Sequence, residues 1–342
     1  MTATPPAPSN PDSALPYAVR GVRIQNFRGI RNLNLSFMGL GEEGPPNRLV
    51  VLAGPNGCGK TRVLEAILIA LRWPELVRNP DQPFGKDTLI VTNIDSPLQK
   101  RINLTATRSS QLADVLGERE SPSEVRQRMA LNVPVAYFSS WRTPKLVGPV
   151  GTTIQPEAAP DVWPESDRLR IVKQYLVDAR AHEALSTQAG PRLYSHMIEK
   201  LDEVWKTLRP GTTGHFEAQP ASKTDPRKGF DLFLVDGDHE PIPLDALSAG
   251  ELEIIQLVGW TFATGFESGI ILIDEPELHL DAQWHRVVIR TLQKLHPTSQ
   301  IIVATHSEEI YDAAMSFERV LLLPADDPRR RLFQGERQDR AS

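Results

Sequence analysis

Residues Gly54-Pro55-Asn56-Gly57-Cys58-Gly59-Lys60-Thr61 fit the pattern G-x-x-x-x-G-K-[ST], and no other feature of the chain narrows its fold as far. The stretch before it, Leu49–Ala53, is wholly apolar and reads as a strand buried on both faces. The stretch after it, Arg62 to Leu71, has apolar residues at Val63, Leu64, Ile67, Leu68 and Leu71, which is helical spacing. A strand, a glycine-rich turn and a helix in that order aim backbone N–H groups and a helix N-terminus at an anion. Glycines let the backbone wrap closely around it. Lys60 is then expected to reach the β- and γ-phosphates of ATP, and Thr61 to place its hydroxyl on Mg²⁺. The nucleotide-binding stretch is taken as Asn56, Gly57, Cys58, Gly59, Lys60, Thr61 and Arg62, with Cys58 a spacer and not a nucleophile.

A second element supplies the carboxylates such a site needs. Ile270-Ile271-Leu272-Ile273 reads as a buried strand that ends in Asp274-Glu275-Pro276. A carboxylate at the carboxyl end of a strand is well placed to complete a Mg²⁺ shell, the role expected of Asp274. Glu275 is expected to orient and deprotonate the attacking water. The plain alternative is a solvated acidic pair.

Around these motifs the chain alternates strands and helices, the pattern of a layered α/β domain. Residues 1–17 are proline-rich and expected to be a disordered leader. Residues 18–142 are expected to form a first ATPase lobe, with strand-like alternation from Ala18 to Phe37 and a strand pair at Leu89–Val91 and Ile102–Ala106. A polar segment near Gly117–Ser123 is expected to be mobile, and Val133–Phe138 to be a strand. Residues 143–225 read as an inserted helical lobe. One helix there carries Leu169, Val172, Tyr175, Leu176 and Ala179 on a face, and another carries Leu193, Met197, Leu201, Val204, Trp205 and Leu208. Residues 226–325 are expected to return to the core. They begin with a hairpin of Phe230–Val235 and Glu240–Leu244 around Gly237-Asp238. A helix from Gly250 to Phe262, a strand Gly269–Ile273, a helix Ala282–Leu295, a strand Gln300–Ala304, a short helix and a strand Val320–Leu323 follow. Residues 326–342 read as a flexible, solvated tail, the alternative being a nucleic-acid arm.

Two further motifs single out a class. Leu247-Ser248-Ala249-Gly250-Glu251 precedes a helix, and Thr305-His306-Ser307 follows the strand after the carboxylates. With them the sequence resembles the ABC-type ATPases, in particular the soluble SMC- and RecF-like branch with relatives in anti-phage defence and DNA repair. The resemblance implies an α/β fold: an ABC-type P-loop ATPase domain with a mixed sheet and an inserted helical lobe. It also implies a dimer that sandwiches two nucleotides, with Lys60, Thr61, Asp274 and Glu275 of one copy facing Ser248 and Gly250 of the other across ATP. His306 corresponds to the switch histidine at the γ-phosphate, and Asp281 of Leu278-His279-Leu280-Asp281 to an aspartate that crosses the dimer interface. Ser248 and Glu251 also fit a capping box, so Ser248 has a structural reading compatible with the functional one. Gln25-Asn26-Phe27-Arg28-Gly29-Ile30 resembles the opening strand of the branch. That gives Arg28 a phosphate or base contact and Asn26 a supporting one; the alternative for Arg28 is a surface charge on an edge strand.

The sequence departs from the family where a glutamine usually ends the strand before the helical lobe. Here it reads Tyr137-Phe138-Ser139-Ser140-Trp141-Arg142. Either Ser139 or Ser140 is expected to take over the Mg²⁺ contact, with Ser139 the candidate ligand, or Arg142 meets phosphate. Arg142 reads equally well as an ion-pair partner.

Composition excludes several classes. Lys plus Arg number 38 against 43 Asp plus Glu, a net charge of −5, which is wrong for a protein basic over its whole surface. The single cysteine cannot form an internal disulfide. No apolar run approaches the roughly 18 residues a membrane helix needs, so a cytoplasmic protein with no membrane partner is expected. The roughly 110 residues between Phe138 and Leu247 are too few for the long coiled-coil arms of chromosome-organising SMC proteins. About 36 residues follow His306, fewer than the nuclease domain of the OLD family, so the chain is expected to be a motor or switch. Its expected partners are a second copy of itself and a separately encoded effector, with nucleic acid as a further possibility. The alternative function is a slowly hydrolysing, nucleotide-dependent scaffold or DNA clamp.

Overall fold

The computed structural model describes residues 15–39, 44–78, 87–97, 101–107, 133–153, 165–185, 193–237, 239–324 and 327. The expected leader up to residue 14, the polar segment at Gly117–Ser123 and nearly all of the expected tail lie outside these residues. Internal contacts divide the chain into two units. One comprises Met1–Tyr137, Ser268–Pro276 and Pro297–Ser342; the other comprises Phe138–Glu267 and Glu277–His296. The second unit is therefore larger than a lobe at 143–225, and it takes in the helix after Ser248 and the helix Ala282–Leu295. The reason is packing: the helix after Ser248 lies against both helices of that lobe, and Ala282–Leu295 lies against the second of them.

The first unit is built on two sheets with a helix between them. Strands β1 (Ala18–Phe27), β2 (Ile30–Ser36), β4 (Leu89–Asp95) and β5 (Ile102–Thr107) form an antiparallel sheet in the order β2-β1-β4-β5. One face of each strand is buried, hence the sequence alternation. Strand β3 (Leu49–Ala53) lies inside the second sheet, ordered β12-β3-β11-β10-β6. Its other members are β6 (Val135–Phe138), β10 (Ile270–Asp274), β11 (Gln300–Thr305) and β12 (Arg319–Leu321). The pairs β10–β11, β11–β3 and β12–β3 are parallel. Strands of such a sheet, covered on both faces, need continuous apolar runs, and β3 and β10 are buried at every position.

Helix α1 (Lys60–Ala70) packs on β1, β4 and β5 of one sheet and on β10 and β11 of the other. That explains why Val63 to Leu71, Glu65 apart, is apolar all round and not along a stripe. Burying each of Val63, Leu64, Ile67 and Leu68 contributes about 1.5–3 kcal/mol. Gln300, fully buried, ties the sheets together: its side chain accepts from the Val19 N–H and donates to the carbonyls of Val19 and Asn47.

The second unit packs α2 (Arg168–Leu185), α3 (Leu193–Leu208), α4 (Ala249–Ala263) and α5 (Ala282–Leu295) with a three-stranded sheet. That sheet is β7 (His215–Pro220), β8 (Phe230–Val235) and β9 (Ile242–Pro243). The sequence reading missed β7, whose only buried side chains are Phe216 and Ala218; its strand character comes from pairing with β8. It also overestimated β9, which shrinks to two residues ending at Pro243, a residue with no N–H to give a ladder. On α3 the expected apolar face is buried except for Leu193, which is exposed at the helix start. Lys173 of α2 is completely buried, 2.8 Å from Asp231 and 3.0 Å from Asp245.

Candidate functional site

The parallel register brings the chemistry to one edge of the sheet. Thr305 pairs with Ala53 and Asp274 with Ala304, so β3, β10 and β11 end side by side. The phosphate loop, the carboxylate pair and the histidine turn follow those ends. Ligand sites of α/β sheets form at such carboxyl ends.

Gly59 caps α1 with φ of 99°, a backbone shape that strains any side chain bearing a Cβ. Asn56 and Gly57 are exposed at the loop tip, and Cys58 is a half-buried free thiol. The Lys60 ammonium donates to the carbonyls of Gly54 (2.7 Å) and Pro55 (3.2 Å), so the loop is wrapped around its own cation. One residue on, the Thr61 hydroxyl donates to Asp274 at 2.9 Å from Oδ2 and 3.1 Å from Oδ1. Asp274 is 1% exposed. A hydroxyl and a carboxylate held this close are hard oxygen donors of the kind Mg²⁺ takes, so the residues fit that ion.

Glu275 leaves the sheet in a left-handed turn with φ of 52°, pinned by its N–H on the Ala304 carbonyl at 2.7 Å. Such a conformation at a non-glycine residue costs of order 1 kcal/mol and is typical of working sites. It points the carboxylate outward, with Oε1 3.7 Å from Nδ1 of His306. The residues beside His306 explain its presentation. Thr305 is buried and accepts from the Ser307 N–H, and Ser307 caps helix α6 (Glu308–Ala313) through the Ile310 N–H. His306 is left half exposed between two anchored neighbours.

At the turn between β1 and β2, Arg28 is engaged within the first unit. Its guanidinium pairs with Glu65 of α1 at 2.6 Å and donates to the Arg78 carbonyl. Asn26 likewise donates to the Asp87 carbonyl, and its own carbonyl accepts from Thr88. The turn nonetheless sits beside the loop: the Arg62 guanidinium approaches Gly29, and Ile30 approaches Gly59. Sequence reasoning missed Glu65, one helical turn after Thr61. Burial pushes its carboxyl pKa up, Arg28 opposes that, and Asp274 adds to it. The available signal was one acid in an otherwise apolar helix, which needs a partner when buried.

The signature residues lie in the second unit. Ser248 caps α4: its hydroxyl accepts from the Glu251 N–H, and the Glu251 carboxylate accepts from the Ser248 N–H (2.7 Å) and hydroxyl (2.8 Å). This is the capping box the spacing announced. A Cβ on Gly250 would come within 2.5 Å of the His279 carbonyl, so only glycine admits the 277–281 segment this close. Asp281 caps α5 through the Gln283 N–H. Ser139 donates to the Glu165 carboxylate, which also accepts from the Ser139 N–H at 2.9 Å. The hydroxyl offered as a replacement Mg²⁺ contact is thus held by a carboxylate of its own unit. Arg142 resolves as an ion-pair partner, buried against Glu253 and donating to the Ser139 carbonyl.

Two AAA-domain families match the chain. One, described as "AAA domain, putative AbiEii toxin, Type IV TA system", matches residues 198–312; another, described as "AAA domain", matches 22–131. A 54-residue stretch is 43% identical to the Septu protein PtuA of Bacillus thuringiensis, covering 16% of this chain and 14% of that protein. An OLD nuclease of Thermus scotoductus is 26% identical over 90% of this chain. The chain spans 62% of the length of that nuclease. Among solved structures, an SMC head bound to the C-terminal winged-helix domain of ScpA aligns with a TM-score of 0.48 at 16% identity, covering 89% of this chain and 97% of that one. The motifs and the two family matches agree on the class of the fold: an α/β domain with a P-loop, similar over separate stretches to AAA domains. Among the described residues no helix is long and apolar enough to cross a membrane.

Proposed function

We propose that the chain is an ATP-hydrolysing molecular switch: two copies close around two ATP molecules, and hydrolysis reopens them. In this reading the loop N–H groups and Lys60 bind the phosphates, while Thr61 and Asp274 hold Mg²⁺. The ion, when bound, neutralises charge on the triphosphate. Glu275 orients a water and takes its proton as the water oxygen bonds to the γ-phosphorus; the bond to the β,γ-bridging oxygen breaks, leaving ADP and phosphate. His306 steadies Glu275 and the departing phosphate. Ser248, Gly250 and Asp281 face the nucleotide of the opposite copy. The observation that carries the reading is the Thr61–Asp274 contact with Glu275 and His306 side by side on the next strand ends.

We further propose that the switch works in the cytoplasm, in defence against phage or in DNA repair; the presence of a Septu protein and an OLD nuclease among the matches supports that setting. There it controls a separately encoded effector or a DNA transaction. Light-scattering mass with and without Mg·ATP, on wild type and Glu275→Gln, tests the core of this. Glu275→Gln keeps the site's shape but removes the base, so it is expected to hold an ATP-dependent dimer that wild type releases on turnover. A mass indifferent to ATP in both proteins overturns the sandwich and favours the scaffold.

A further inference from the structure

The serine at the head of α4 is held by a charge that should work against it. Glu251 grips Ser248 through both its N–H and its hydroxyl, so a carboxylate sits within hydrogen-bond distance of the group that would meet a triphosphate. Two anions this close repel strongly. The other oxygen of the same carboxylate is paired with the guanidinium of Arg209, which follows α3. That guanidinium is preplaced: its carbon lies 5.0 Å from the Trp205 ring and 5.8 Å from the Trp284 ring, and the Arg209 N–H donates to the Trp205 carbonyl. Glu251 is 9% exposed, whereas Arg209 is 49% exposed, so the positive end of the pair faces solvent.

We infer that Arg209 is a positioning residue for nucleotide-dependent closure. It neutralises the Glu251 carboxylate that holds Ser248, so that the serine can face a polyphosphate without an uncompensated negative charge behind it. The inference rests on the reading in which Ser248 meets the nucleotide of a second copy, and it adds a residue that no motif marks.

The role is electrostatic, and that makes it separable from packing. On a Glu275→Gln background, closure is followed by light scattering across an ATP titration. Arg209→Gln is expected to raise the ATP concentration needed for closure about tenfold, with the deficit shrinking as salt rises. Glu251→Gln, whose amide oxygen can still accept from Ser248, is expected to close like the parent. The double variant Arg209→Gln/Glu251→Gln is expected to recover closure, because no carboxylate is left to neutralise. Binding of a fluorescent ATP analogue to the open monomer, which uses Lys60, stays unchanged throughout. If Arg209→Gln closes like the parent, or if the double variant is as defective as Arg209→Gln, the inference is overturned. In the second case the aromatic contacts of Arg209 are what matter. Should Arg209→Gln melt early, Arg209→Lys substitutes: it keeps the charge and loses the flat stacking surface, and normal closure supports the electrostatic role. A defect in Arg209→Lys counts against it. A Glu275→Gln parent that stays monomeric in saturating ATP refutes the sandwich and this inference together. A parent that closes while the variants do not differ refutes Arg209 alone.

Discussion

The phosphate loop and the signature segment are both motif-bearing, yet their residues are held in opposite ways. At the loop, Thr61, Asp274, Glu275 and His306 come from three separate stretches of chain and touch because parallel strands end in register. At the signature, Ser248, Glu251 and Gly250 are sequence neighbours whose contacts are those of a helix start: a capping box and a close backbone approach. The first arrangement already brings groups of opposite chemical role together. The second is a self-satisfied helix N-terminus whose proposed task begins only when a nucleotide arrives. One site is assembled by the fold; the other is prepared by it.

That contrast can be broken or sharpened by experiment. The largest effect belongs to the assembled site. Glu275→Gln is expected to lower ATP turnover 10²–10⁴-fold, the range for losing a general base, while ATP binding persists. A phosphate-release assay beside a nucleotide-binding titration reads both, and a variant turning over at the wild-type rate would reassign the base. Next comes a group that holds the prepared side. Lys173→Met leaves Asp231 and Asp245 facing each other without their cation, a loss of about 3–5 kcal/mol for a broken buried pair. Urea unfolding monitored by tryptophan fluorescence would show it, and a shift below 1 kcal/mol would mean that water reaches the aspartates.

A third prediction concerns pH. His296, at the end of α5, is buried among Phe262, Phe266 and Thr261, and burial lowers its pKa from 6.5 to about 4. The folded state thus keeps the ring neutral where the unfolded chain would protonate it. Its contribution is whole above pH 6.5 and drains away as pH falls towards 4, about 3 kcal/mol in all. Thermal melts between pH 7.5 and 4 should fall less steeply for His296→Leu than for wild type; parallel curves would contradict the assignment. The smallest effect returns to the signature. Ser248→Ala removes a cap and is expected to cost about 1 kcal/mol of stability. Ser248→Asp restores a capping oxygen but sets a second carboxylate against Glu251, so it should recover little of that stability, and its added charge should block ATP-dependent closure. A Ser248→Asp protein that closes normally would make the serine a cap and nothing more.

Much of the first unit was legible because its signals are local. A wholly apolar run is what a doubly covered strand requires, so β3 and β10 were found nearly to the residue. In the second unit, Ala282–Leu295 was likewise found to the residue from its apolar spacing. Less legible were elements whose reason lies elsewhere in the chain. Strand β7 exists because β8 pairs with it, and Arg28 is engaged because Glu65 approaches from a helix 37 residues away. Arg142 was left between two roles, and only Glu253, 111 residues further on, decides between them.

Taken alone, the order of residues determined the loop, the carboxylate pair, the capping box and the alternation of strands and helices, because each follows from spacing along a few turns or a single strand. Tertiary structure decided which groups meet: Thr61 with Asp274, Glu275 with His306, Arg209 with Glu251. The physical reason is that backbone geometry is dictated within about ten residues, whereas a partner for a buried or half-buried charge is supplied by whichever distant segment packing brings within hydrogen-bond reach.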